Sequence, residues 1–118
     1  MKKAILALAL LLTLALAAPV DAATLTLKFT RFTSPVARSA TATVAVLTTA
    51  KARCTIGVYY STTASRAAGL GAKTAPATGR ISWSWKIGSN TKKGSWPVKV
   101  TCKLGSQTKT ISRKIVVK

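Results

Sequence analysis

The chain has 118 residues, room for one domain, and carries 19 Lys and Arg against a single acidic residue and no His, for a formal net charge of +18. Apolar residues make up 48% and charged ones only 17%, which excludes a disordered basic tail. Without His and with one carboxylate, the usual general acids, general bases and hard-metal ligands are missing, so we expect no enzyme, no metal and no cofactor.

Residues 1–22 read as a secretory signal peptide. Lys2 and Lys3 form its positive start, and 4–18 is an apolar run of 15 residues broken only by Thr13. A membrane-spanning helix needs about 20 such residues, so the run is too short to span. Val20 and Ala22 flank Asp21 and place the cut before Ala23. The alternatives are a cut before Ala18, disfavoured by the nearby Pro19, and an uncleaved anchor. Removing the leader also removes Asp21, Lys2 and Lys3. Residues 23–118 then hold seventeen basic side chains and no acidic one, so no ion pair between side chains can form. Folding is left to burial, hydrogen bonds and covalent links.

Past the leader, alternation of apolar and polar residues predicts strands. In 24–32, Leu25, Leu27 and Phe29 share one face and Thr26, Lys28 and Thr30 the other, until Ser34-Pro35 interrupts. Residues 41–48 follow, with Ala42, Val44 and Val46 against Thr41, Thr43 and Ala45. In 54–61, Cys54, Ile56, Val58 and Tyr60 lie opposite Thr55, Gly57 and Tyr59. The stretch 62–77, Ala-rich with glycines and Pro76, reads as a loop or a single helical turn. Residues 80–87 turn Ile81, Trp83, Trp85 and Ile87 inward. Residues 95–103 do the same for Trp96, Val98, Val100 and Cys102, with Pro97, Lys99, Thr101 and Lys103 outward. In a last strand over 108–117, Ile111 and Ile115 share a face with Arg113 unless a bulge resets the register.

Turn signals at Gly69-Leu70-Gly71, Gly88-Ser89-Asn90, Lys93-Gly94 and Gly105-Ser106 separate these runs. Six or seven short strands so spaced predict an antiparallel sandwich. Cys54 and Cys102 are the only cysteines, and in a small exported domain two cysteines point to one disulfide. In the chain-entropy account that link stabilises by roughly 4 kcal/mol. Free thiols are the alternative. A metal site is disfavoured because two sulfurs without His or acid are too few ligands.

Cys54-Thr-Ile-Gly-Val-Tyr-Tyr-Ser61, Ala67-Ala-Gly-Leu-Gly71, Gly79-Arg-Ile-Ser-Trp-Ser-Trp-Lys-Ile-Gly88 and Gly94-Ser-Trp-Pro-Val-Lys-Val-Thr-Cys102 together resemble a small immunoglobulin-like (fibronectin III-like) domain of exported bacterial proteins. The resemblance covers roughly residues 35–117. It implies an all-β immunoglobulin-like antiparallel β-sandwich of about seven strands, a disulfide and an extracytoplasmic location, secreted or in the cell envelope. It implies no single function, because such sandwiches host many. The dense Lys and Arg decoration without acids departs from what the resemblance implies.

Trp83, Trp85, Trp96 and Tyr60 share the inward parity of the cysteines and are read as core aromatics, with a carbohydrate-stacking platform as the alternative for the indoles. Tyr59 faces the other way. With the two cysteine strands as neighbours, as the resemblance implies, one outer face gathers Tyr59, Lys99 and Lys103, extended by Lys109, Arg113 or Lys114. Such a face attracts polyanions by releasing counterions. Teichoic acid or another cell-wall polymer, lipopolysaccharide, extracellular DNA, acidic polysaccharide and anionic membrane surfaces all fit; no small-molecule substrate is expected. Ser89-Asn-Thr-Lys92 and Ser106-Gln-Thr-Lys109 match Ser-x-x-Lys, but both sit in turn-like sequence without the partner motifs of acyl-transfer enzymes. Gly69-Leu-Gly71 with Lys73 lacks the spacing of a phosphate loop. The sequence thus points to a secreted cationic adhesion module. Two alternatives stand beside it: a structural or accessory domain whose charge suits its medium, and a membrane-damaging or nucleic-acid-coating effector. Against the effector, no long basic amphipathic helix is visible.

Overall fold

The computed structural model of the chain describes residues 24–61 and 63–118; the leader read at 1–22 lies outside them. No helix occurs among the described residues. The strands are β1 (Leu27–Phe32), β2 (Thr41–Thr48), β3 (Arg53–Tyr60), β4 (Thr63–Ala64), β5 (Lys73–Thr74), β6 (Arg80–Lys86), β7 (Gly94–Leu104) and β8 (Gln107–Val117). They form two antiparallel sheets, one ordered β1-β2-β6 and one ordered β4-β3-β7-β8 with β5 also on β3. The stretch expected as a loop or helical turn therefore contributes β4 and β5. Both lie along the edge of β3 that β7 leaves free, where unpaired backbone groups need partners.

Period-two patterning places the core between the sheets. Val44 and Val46 of β2, Ile81, Trp83 and Trp85 of β6, Cys54 and Val58 of β3, and Val98 and Val100 of β7 are all buried in one cluster. Thr48, the buried polar residue, donates its hydroxyl to the Thr26 carbonyl at 2.7 Å. The indole Nε1 atoms also find acceptors, Gly71 O for Trp83 at 2.8 Å and the Tyr60 hydroxyl for Trp85 at 3.0 Å. Tyr60 is half-buried, as is Trp96, which donates to Lys92 O at the rim of the core instead of sitting inside it. Its inward parity is right, and it packs against the core cluster from near the start of β7 while staying only partly buried.

Two register details depart from simple alternation. In β1 the pairing with β2 shifts between Phe29 and Arg31, so Phe29 faces Val46 and Phe32 faces Val44. Both rings thereby reach the core side and meet edge-on at 5.3 Å. In β8, by contrast, no bulge resets the register: pairing with β7 runs unbroken from Gly94↔Val117 to Leu104↔Gln107. The hairpin closes through Gly105-Ser106, with Gly105 at φ 60°, as a two-residue loop with glycine first requires. Ile111, Arg113, Ile115 and Val117 consequently share the inward parity, and Arg113 spreads over the Phe32 ring at 4.7 Å.

Cys54 and Cys102 are paired residues of neighbouring strands, joined by a disulfide with a Cα–Cα distance of 4.0 Å. The bridge closes 48 residues of sequence. We expect Cys54→Ala/Cys102→Ala to lose about 4 kcal/mol in urea denaturation, a large share of a small domain's stability. No Asp, Glu or His side chain occurs in residues 24–118, so the same measurement should show stability nearly flat from about pH 2.5 to 7. Burial raises the Tyr60 hydroxyl above its ordinary 10.0, a rise opposed by the hydrogen bond from Trp85. Its contribution is therefore present below about pH 10 and lost as pH climbs through the raised value.

Candidate functional site

The outer face of the larger sheet is built by the residues alternating with the core. Arg53, Thr55, Gly57 and Tyr59 of β3 stand outward beside Lys103, Thr101, Lys99 and Pro97 of β7 and, beyond them, Thr108, Thr110, Ser112 and Lys114 of β8. Three rows result from the register: Arg53–Lys103–Thr108, Thr55–Thr101–Thr110 and Gly57–Lys99–Ser112. The middle row is a hydroxyl ladder, with Thr101 and Thr110 Oγ1 atoms 2.9 Å apart and Thr55 Oγ1 donating to Thr101 O at 3.5 Å.

Of the residues expected on this face, Tyr59, Lys99, Lys103 and Lys114 are there. Lys109 and Arg113 are not. Because the β8 register is continuous, Lys109 faces Cys102 and Arg113 faces Val98, on the opposite side of the sheet from Lys114. Arg113 covers Phe32, and Lys109 borders a depression at the seam with Leu27 and Lys28 of β1. Arg53 is the residue that sequence reasoning missed. Its signal was available, since the residue before an inward Cys54 must point outward.

Arg53 and Lys103 are directly opposed across β3 and β7, a like-charge pair that costs stability in a sheet. The disulfide of the adjacent register pair holds the strands together at that place. With Thr55 and Thr101 they line a shallow depression of about 280 Å³. All of these groups can donate hydrogen bonds, two as cations and two as hydroxyls, which suits an oxyanion. The outer face of the smaller sheet is also basic, through Lys28, Arg31, Arg80 and Lys86. There Leu47 separates Lys28 from Arg80 and no two cations are paired across strands. Total charge does not distinguish the faces; arrangement does.

Tyr59 adds an aromatic surface. A methyl group at Gly57 would fall 2.7 Å from the Tyr59 hydroxyl oxygen and 2.8 Å from ring atom Cε1. The ring therefore reaches over Gly57, into the space of the missing side chain, is partly buried, and lies over the residue paired with Lys99. Glycine is required here for room, its φ not being positive. We expect the Gly57 Hα resonances to be displaced by the ring current. They should return to ordinary strand values in Tyr59→Ala, with urea stability altered by less than about 1 kcal/mol.

Comparison of the chain with protein-family models and with curated proteins gave no match, so its functional reading follows from this geometry.

Proposed function

We propose that the chain is an exported, non-catalytic module that adheres to anionic polymers or envelope surfaces on a fibronectin III-like sandwich. The fold assignment is supported by a three-stranded sheet facing a second sheet in which short strands extend the edge of β3. One feature differs from antibody-type domains, whose disulfide joins the two layers: here it joins neighbours within one sheet. Export is supported by the leader-like segment and by a disulfide in a small β domain. Among the described residues, no helix is long and apolar enough to cross a membrane.

The observation that carries the binding function is the opposed Arg53–Lys103 pair beside Lys99 and Lys114, in residues 24–118 that contain no acidic side chain. With no internal carboxylate to neutralise it, this face gains most from an external polyanion, which also releases its counterions. A carboxylate-poor surface that served solubility alone would need no such pairing, and mixed charge is the usual solution.

Binding to heparin and to DNA across a salt series tests the proposal. Affinity should fall steeply with salt, and Lys99→Ala/Lys103→Ala should reduce the log–log slope by roughly 1.5. Arg80→Ala/Lys86→Ala on the other face should leave the slope within about 0.5. Equal losses from both double variants, or no binding to either polymer at low salt, would refute it.

A further inference from the structure

We propose that the outer face of the larger sheet takes a single-stranded nucleic acid, with a base stacked on Tyr59 and backbone phosphates held by Lys99 and the Arg53–Lys103 pair. This rests on the polyanion reading and narrows it to one ligand class. Three observations carry it.

The first is the ring over Gly57. A tyrosine whose ring reaches over Gly57, partly buried and next to Lys99 across the strands, offers stacking next to a cation, the combination by which proteins hold unpaired bases. A polymer of phosphates without rings leaves this surface unused. A duplex keeps its bases stacked on each other and cannot reach it.

The second is spacing. The ring sits in the row of Gly57, and Arg53 and Lys103 lie four residues away along β3 and β7, about 13 Å in an extended strand. The depression lined by Arg53, Thr55, Thr101 and Lys103 is thus in line with the ring but separate from it. Only a linear ligand carrying both planar groups and repeated oxyanions engages both ends. An unpaired polynucleotide has that design.

The third is the chemistry of the whole face. Its outward side chains are Arg, Lys, Thr, Ser, Tyr, Pro, Val and Ala, with no carboxylate and no amide. A sulfated glycan also presents anions and rings, but its rings are saturated and have no π-face to stack on the Tyr59 ring. Phosphates and base faces demand donors and a π surface, which are present.

Fluorescence anisotropy with the full chain tests this, using a labelled thymidine oligomer of about twelve nucleotides, with a duplex, inorganic polyphosphate and a heparin oligosaccharide of matched charge as competitors. The thymidine oligomer should bind about tenfold more tightly than the duplex or polyphosphate. Tyr59→Ala should remove about tenfold from oligomer binding and change polyphosphate binding by less than about twofold, with Tyr59→Trp restoring the preference. Arg53→Ala/Lys103→Ala should weaken both ligands. If oligomer and polyphosphate bind alike and Tyr59→Ala changes neither, the nucleic-acid inference falls while the polyanion reading stands. Preferential retention of heparin at high salt overturns it in favour of a glycan. If none of the four polymers binds at low salt, both fail together.

Discussion

Residues 24–118 must fold with side-chain charges of one sign. Every pair of ionised side chains repels, and no ion pair between side chains is available to offset it. At physiological salt the repulsion reaches about 8 Å before it is screened, enough to couple neighbours on a sheet. Cohesion therefore has to come from apolar burial, satisfied backbone bonds and the one covalent crosslink. Strict alternation follows from this: each cation of β3, β6 and β7 occupies an outward position, while valines, Ile81 and the indoles of Trp83 and Trp85 fill the interior. Where alternation forces two cations into opposition, at Arg53 and Lys103, the disulfide lies in the adjacent register pair.

The same constraint governs the sheet edges. β1 and β8 bound the two sheets on one side, and a sheet edge of that kind invites pairing with another chain. Val36 N donates to Val116 O and Lys118 N to Val36 O, so the segment after β1 crosses over to cover the C-terminal end of β8. Arg113 points to the core side from the exposed edge strand and is accommodated over Phe32, which satisfies the cation with a ring where no acid exists. On the opposite side, Lys73 Nζ donates to Ser82 O and the Gly71 carbonyl accepts from Trp83, so the chain before and into β5 runs along β6. Gly69 is the residue that permits this approach. Its φ of 99° and the absence of a side chain let the backbone pass beside Ser84 O.

A basic composition accounts for attraction to anions in general, and both outer faces share it. What separates them is placement. On the smaller sheet the cations are dispersed among Leu47, Ala45 and serines, as suits a solvated surface. On the larger sheet a cation pair, a hydroxyl row and a ring lie in sequence along two strands, so a single extended ligand can meet all three. The disulfide, the core and the candidate face are thus joined in β3 and β7, which carry inward cysteines and outward basic, hydroxyl and aromatic groups on alternating residues.

Much of this was legible from the amino-acid order alone, because side-chain direction along a strand depends only on local alternation. Leu27, Val44, Trp83, Val98 and the cysteines are inward as their parity requires, and Tyr59, Lys99 and Lys103 are outward for the same reason. Partnership between strands is a non-local matter, and there the tertiary structure decided. The continuous β7–β8 register turned Arg113 and Lys109 to the core side, and the spare edge of β3 drew β4 and β5 out of an Ala-rich stretch with little strand character. Trp96 has core parity but is only partly buried against the core, its indole donating to Lys92 O. The setting of Arg53 against Lys103, and of the Tyr59 ring over Gly57, likewise arose only once residues distant or merely neighbouring in sequence were packed in space.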